Sequence, residues 1–202
     1  MTEKLAYKLS ICFVKNDIIP EDKRELLEYS VFHILSSILH VLLLLAAGIV
    51  FSLVFEIAVF ALFFCSLKRY IGGAHATKHR TCLLSFTLLA LAGAWFGSLF
   101  SEIPALRCLP VILTVTAALL ILWKAPVLHP NAPRRNVQAL KKFKKKAAYI
   151  AAIQIITALA VCLFRGFLSP LLFSGSLGSI SAAITLLLPV PDTTGKGGAE
   201  NE

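Results

Sequence analysis

The chain has 202 residues, of which 57% are hydrophobic and 15% charged, with a formal net charge of +9 and a mean hydropathy of +0.80. Soluble globular domains are about 45–50% apolar and about 25% charged, so this composition excludes an ordinary soluble fold and, outside the ends, disorder. Each membrane-spanning helix needs ~20 apolar residues, so the length accommodates one bundle of about six spans.

Residues 1–29 set Lys4, Lys8, Lys15, Lys23 and Arg24 among Leu5, Leu9, Ile11 and Phe13. They read as a cytoplasmic amphipathic segment, or as a solvated arm, with a second helix start at Pro20-Glu21-Asp22. Proline at a first helical position and acids in the first turn suit a helix N-terminus. The segment lacks the apolar core of a signal peptide, so no cleavable leader is expected. From Val31 to Leu67 the chain is apolar for longer than one span requires, and a division near Gly48 gives spans over roughly 30–48 and 50–67. Further runs cover 82–101, 105–123, 147–165 and 167–189. Residues 191–202 are polar and glycine-rich and read as a disordered tail. The expected fold is therefore all-α: about six transmembrane helices over 30–190, loops at 68–81 and 124–146, and an N-terminal amphipathic helical segment.

Eighteen of the 20 basic residues fall on one side of this six-span arrangement, and only Arg107 and Arg165 on the other. The positive-inside rule then places both termini and both long loops in the cytoplasm of a multi-pass membrane protein. The same split places the cations in short loops beside spans, which disfavours nucleic acid as a partner. Of the five cysteines, Cys12, Cys65 and Cys162 lie in apolar stretches and read as small core residues. No CxxC pair exists, and no cofactor is expected. His40, Glu56 and Gln154 fall inside spans, where polar groups either serve function or pair with one another.

The first loop runs Lys68-Arg69-Tyr70-Ile71-Gly72-Gly73-Ala74-His75-Ala76-Thr77-Lys78-His79-Arg80-Thr81-Cys82. Gly72-Gly73 permits positive φ or a close backbone approach. Three readings of the segment stand side by side. In the first, Cys82 is a nucleophile and His75 its base; nearby cations and a helix N-terminus favour a thiolate. Seven residues on a straight helix separate the two by about 10 Å, so contact needs the loop to bend back. His79, three residues before Cys82, is a rival base. In the second, His75, His79 and Cys82 bind a metal, although no fourth ligand is evident. In the third, the loop is a basic tether on anionic lipid.

The arrangement Arg69, Gly72-Gly73-Ala74-His75-Ala76 and a cysteine seven after the histidine resembles the signature of the AgrB family. These are membrane peptidases that process quorum-sensing propeptides. Ala125-Pro126 and Pro130-Asn131-Ala132-Pro133, followed by a basic run, are similar to the stretch after that family's fourth span, and Glu25 to Tyr29 adds a weaker likeness. The similarity covers residues 20–190. It implies a cysteine endopeptidase without a metal, with Cys82 as nucleophile, His75 as base and then acid, and Gly72, Gly73, Arg69 and His79 in support. The implied substrate is an AgrD-like propeptide, released as a cyclic thiolactone or lactone through an acyl-enzyme thioester. The resemblance also implies a homodimer.

Residues 134–146 carry seven cations, among them Lys141, Lys142, Lys144, Lys145 and Lys146. They anchor the loop to anionic lipid, hold an acidic part of the propeptide, or do both. No third catalytic residue is evident. Asp and Glu are absent from 57–101, which leaves Glu28 and Glu56 as possible orienting carboxylates. The competing function is a non-catalytic small-peptide transporter or membrane assembly subunit, for which Cys82 has no purpose.

Overall fold

The computed structural model describes residues 2–16, 18–73, 79–127, 137–163 and 169–189. They form seven α-helices: α1 Thr2–Lys15, α2 Arg24–Phe51, α3 Val54–Ile71, α4 His79–Ser101, α5 Leu109–Lys124, α6 Val137–Leu163 and α7 Ser169–Ile184. No strand occurs among the described residues. The chain divides into two compact units, Met1–Ala47 and Gly48–Glu202, and α2 runs across the division.

In the first unit α1 buries Ala6 and Ser10, one turn apart, and leaves Lys4, Lys8 and Lys15 exposed. Pro20 is extended and precedes a short 3-10 turn, Glu21–Lys23, that leads into α2. The proline thus stands one position before the helix rather than in its first turn. Helix α2 begins at Arg24, six residues ahead of the expected span, because nothing between Arg24 and Ser30 breaks a helix.

The expected division at Gly48 falls instead at Ser52 and Leu53. The Leu53 N–H donates to Gly48 O (2.8 Å) and the Ser52 N–H to Ile49 O (3.3 Å), with Ser52 left-handed at φ 57°. This is a Schellman closure, normally a glycine position. Gly48 serves a different end: a Cβ there would stand 2.9 Å from Val54 Cα, so it allows the start of α3 to press close.

The second unit is built around α7, which packs on α3, α4 and α5. Its Leu172, Phe173, Ser174, Ser176, Ser179, Ala182 and Ala183 are buried. Small residues let backbones approach in a bundle where the hydrophobic effect does not drive helices together. At Gly178 an added Cβ would stand 2.5 Å from Phe60 O. Phe60, Phe64 and Phe86 fill the α3–α4 seam, Phe64 and Phe86 with ring centroids 4.8 Å apart. Leu88, Trp95, Leu119 and Ile156 stand exposed, a surface suited to hydrocarbon rather than water.

The described part of each of the six expected apolar runs falls largely on a helix. Four segments are long and apolar enough to cross a membrane: Glu21–Phe51, Thr81–Ser101, Pro104–Lys124 and Gln138–Leu163. The count of six spans is not established. Helix α3 contains Glu56, Lys68 and Arg69, and the apolar segment of α7, Pro170–Ile184, is short. The basic run also differs from expectation. Residues 137–146 are not loop but the first turns of α6, because Gln, Ala, Leu and Lys are strong helix formers and no proline lies between Pro133 and Pro170. Cys12 and Cys65 are exposed rather than core, and Cys162 is half-buried.

Candidate functional site

The end of α3, the segment after α5 and the end of α7 converge at Gly72-Gly73. The Val127 N–H donates to Ile71 O (2.9 Å) and the Gly73 N–H to Val127 O (3.1 Å), forming one parallel bridge between Gly72 and Val127. Gly72 and Gly73 have φ of 71° and 89°. A Cβ on Gly72 would collide with Val127 O, and one on Gly73 would stand 2.7 Å from Thr185 O. Both glycines therefore supply positive φ and close approach together.

Cys82 sits in the first turn of α4, half-buried, with its carbonyl accepting from Ser85 Oγ (3.1 Å). Facing it electrostatically is Lys68, in the last turn of α3. The Lys68 Nζ donates to Thr185 Oγ1 (2.8 Å), and Thr185 Oγ1 donates to Ala182 O (2.7 Å). Burial pushes the Lys68 ammonium down to about 8, and the negative form of Cys82 acts in the opposite direction. Lys68 thus joins three helices: its own, α4 through charge and α7 through a hydrogen bond.

Sequence reasoning treated Lys68 only as one cation of a basic loop, and did not single out Thr185 or Val127. A signal for Lys68 was present. Phe60, Phe64 and Lys68 recur at i, i+4 and i+8, which puts the lysine on the buried face of α3.

Arg69 is exposed, its guanidinium 5.9 Å from the Tyr70 ring centroid. From α6, Lys146 Nζ lies 5.7 Å from the same centroid and the Phe143 ring 5.8 Å. Lys141, Lys142, Lys144, Lys145 and Lys146 are all exposed on α6, and Lys146 is the one placed against the end of α3.

His75 lies outside the described residues, as does the side chain of His79; of the metal trio considered above, only the Cys82 side chain is described. Glu56 stands in the first turn of α3 and Lys68 in its last, about 18 Å apart along the axis, so Glu56 does not orient a base beside Cys82. Gln154 is buried and wholly structural in its contacts. It donates to Phe63 O (3.1 Å) and Ser66 Oγ (3.2 Å) and accepts from Ser179 Oγ (2.8 Å).

The sequence matches the family Accessory gene regulator B over residues 3–187. The chain belongs to that family. AgrB membership supports a role in the agr quorum-sensing system, with an AgrD propeptide as the indicated partner, and accords with the apolar helices of a membrane protein. Two relatives from Clostridium perfringens are similar over 150 residues. One, "Putative AgrB-like protein 2" of strain 13 / Type A, is 22% identical. The other, "Putative AgrB-like protein" of strain SM101 / Type A, is 21% identical. In both cases the match covers 71% of this chain and 69% of the relative. No solved structure matches this AgrB chain.

Proposed function

We propose that this protein is a membrane cysteine endopeptidase that cleaves the C-terminal part of an AgrD-like propeptide and promotes its cyclisation. The observation that carries the reading is the AgrB match across residues 3–187, within which Cys82 lies in the first turn of α4 and interacts electrostatically with Lys68 at the end of α3. The Cys82 thiolate adds to the scissile carbonyl, the C–N bond breaks, and protonated His75 gives its proton to the leaving amine. The acyl group stays on sulfur as a thioester. A thiol or hydroxyl inside the substrate then attacks, the C–S bond breaks, and His75 takes up the attacking group's proton. Lys68 offers positive charge where negative charge stands on sulfur or develops on the carbonyl oxygen.

Lys141, Lys142, Lys144, Lys145 and Lys146 hold an acidic stretch of the propeptide, with anionic lipid as their partner when it is absent. The site faces the cytoplasm, since 18 of the 20 basic residues share its side. The working unit is a homodimer, as the family resemblance implies.

The test is co-expression with a candidate propeptide and mass spectrometry of the peptide, at matched membrane levels of wild type, Cys82→Ala, His75→Ala and a variant with the five α6 lysines changed to Gln. The expected result is a cleaved product from wild type, lighter than the hydrolysed peptide by one water, and none from Cys82→Ala or His75→Ala. The lysine variant is expected to process an acidic substrate poorly. Undiminished processing by Cys82→Ala ends the peptidase reading and brings the transporter forward.

A further inference from the structure

At the opposite end of the second unit, two thiols meet. Cys108 is the N-cap of α5 and is exposed; Cys162 stands in the last turn of α6 and is half-buried. The two thiols lie close enough to interact electrostatically. The backbone around them is clasped from both sides. Arg107 Nη2 donates to Cys162 O (2.7 Å), and Cys162 Sγ donates to Arg107 O (3.8 Å). The other ends of these helices lie by Gly72 and Tyr70, where Val127 and Phe143 make their contacts, so this pair is remote from Cys82.

We infer that Cys108 and Cys162 are a redox pair that closes into an intramolecular disulfide, stapling the start of α5 to the end of α6. Three observations carry this. Cys162 Sγ reaches the carbonyl oxygen of Arg107, the residue bonded to Cys108, which sets the two thiols side by side. Reciprocal hydrogen bonds between residues 107 and 162 hold the two chain segments in register. The compartment follows from charge: this end carries only Arg107 and Arg165 of the 20 basic residues, which turns it away from the cytoplasm and towards the side where disulfides persist.

The chemistry balances with an oxidant that itself bears a disulfide. The more exposed Cys108 thiolate attacks that disulfide, expels one thiol and forms a mixed disulfide. The Cys162 thiolate then attacks the Cys108 sulfur and expels the second thiol. The protein loses two electrons and two protons, and the oxidant's disulfide is reduced to two thiols. Arg107 supplies positive charge beside the attacking sulfur. A cavity of about 370 Å³, lined by Glu102, Arg107, Val161, Cys162, Leu172 and Phe173, opens beside the pair, so the bond also fixes one wall of it.

The test uses the full chain in its membrane and is independent of propeptide processing. Free thiols are blocked with one maleimide without reductant, before and after treatment with oxidised glutathione. The protein is then reduced, labelled with a second maleimide of different mass and mapped by peptide mass spectrometry. The expected result is the second label on Cys108 and Cys162 after oxidation, the first label on Cys12, Cys65 and Cys82, and, without reduction, one cross-linked peptide joining 108 to 162. In Cys108→Ser, Cys162 is expected to take the first label. First label on both cysteines after oxidised glutathione overturns the inference, as does a bond from Cys108 to a second copy of the chain. The wild-type map decides the question even where Cys108→Ser fails to insert.

Discussion

Lys68 donates to a threonine hydroxyl and interacts electrostatically with the Cys82 thiol, and its protonation is the feature of the site most open to experiment. It is a cation below about 8 and neutral above, since burial disfavours the charged form. Any help it gives Cys82 is present at neutral pH and lost as pH rises through about 8. Processing by Lys68→Met is therefore expected to fall several-fold short of wild type at neutral pH, with the deficit shrinking in alkaline buffer. Lys68→Arg is expected to restore the neutral-pH rate in part and to remove that convergence, because arginine stays charged. A deficit that is constant with pH assigns Lys68 to packing alone. For folding the sign is opposite to that of a favourable ion pair. The ordinary lysine value lies above 8, so between the two the unfolded chain binds the extra proton and this group's contribution to stability rises with pH.

Among the helices, α7 shows how much of the architecture depends on small side chains. It buries Ser174, Ser176 and Ser179 in the middle of the bundle, where Ser179 reaches Gln154 on α6 and Gln154 reaches Phe63 on α3. Interhelical hydrogen bonds inside a membrane are individually modest. Gln154→Leu is expected to cost roughly 1–2 kcal/mol, read as a lower midpoint of thermal unfolding in detergent, with Cys82 still reactive to alkylation. The sequence made the helices and their order legible because apolar runs of that length admit few other outcomes. It did not show the ends. Helix α6 extends ten residues beyond the expected span because lysine is as good a helix former in water as leucine is in lipid. Ser52 closes α2 from a left-handed conformation that no residue type at that position announced. Gly72-Gly73 was readable as an unusual backbone position. Its partners, Val127 and Thr185, were not, since contacts across more than fifty residues leave no trace in local pattern.

For the whole molecule, charge asymmetry makes the sharpest claim. It predicts both termini and residues 68–81 and 124–146 on the cytoplasmic side, so epitope tags at either end should bind antibody only in permeabilised cells. A tag within the turn around Glu102 to Arg107 should bind it on intact cells. Tags at the two ends that differ in accessibility would mean an odd number of crossings. That result would remove one of the helices outside the four long apolar segments, α3 or α7, from the set of spans.

The Tyr70 ring, with Arg69 and Lys146 both near it, has a consequence for how recruitment and readiness are linked. Lys146 belongs to the basic face of α6, yet its ammonium rests against an aromatic ring two residues from Gly72 and two from Lys68. An acidic chain arriving on that face competes with the ring for the same cation. With α6 as the docking face proposed above, the arrival of cargo is expected to be felt at the last turn of α3, where release of Lys146 from Tyr70 is the change to measure.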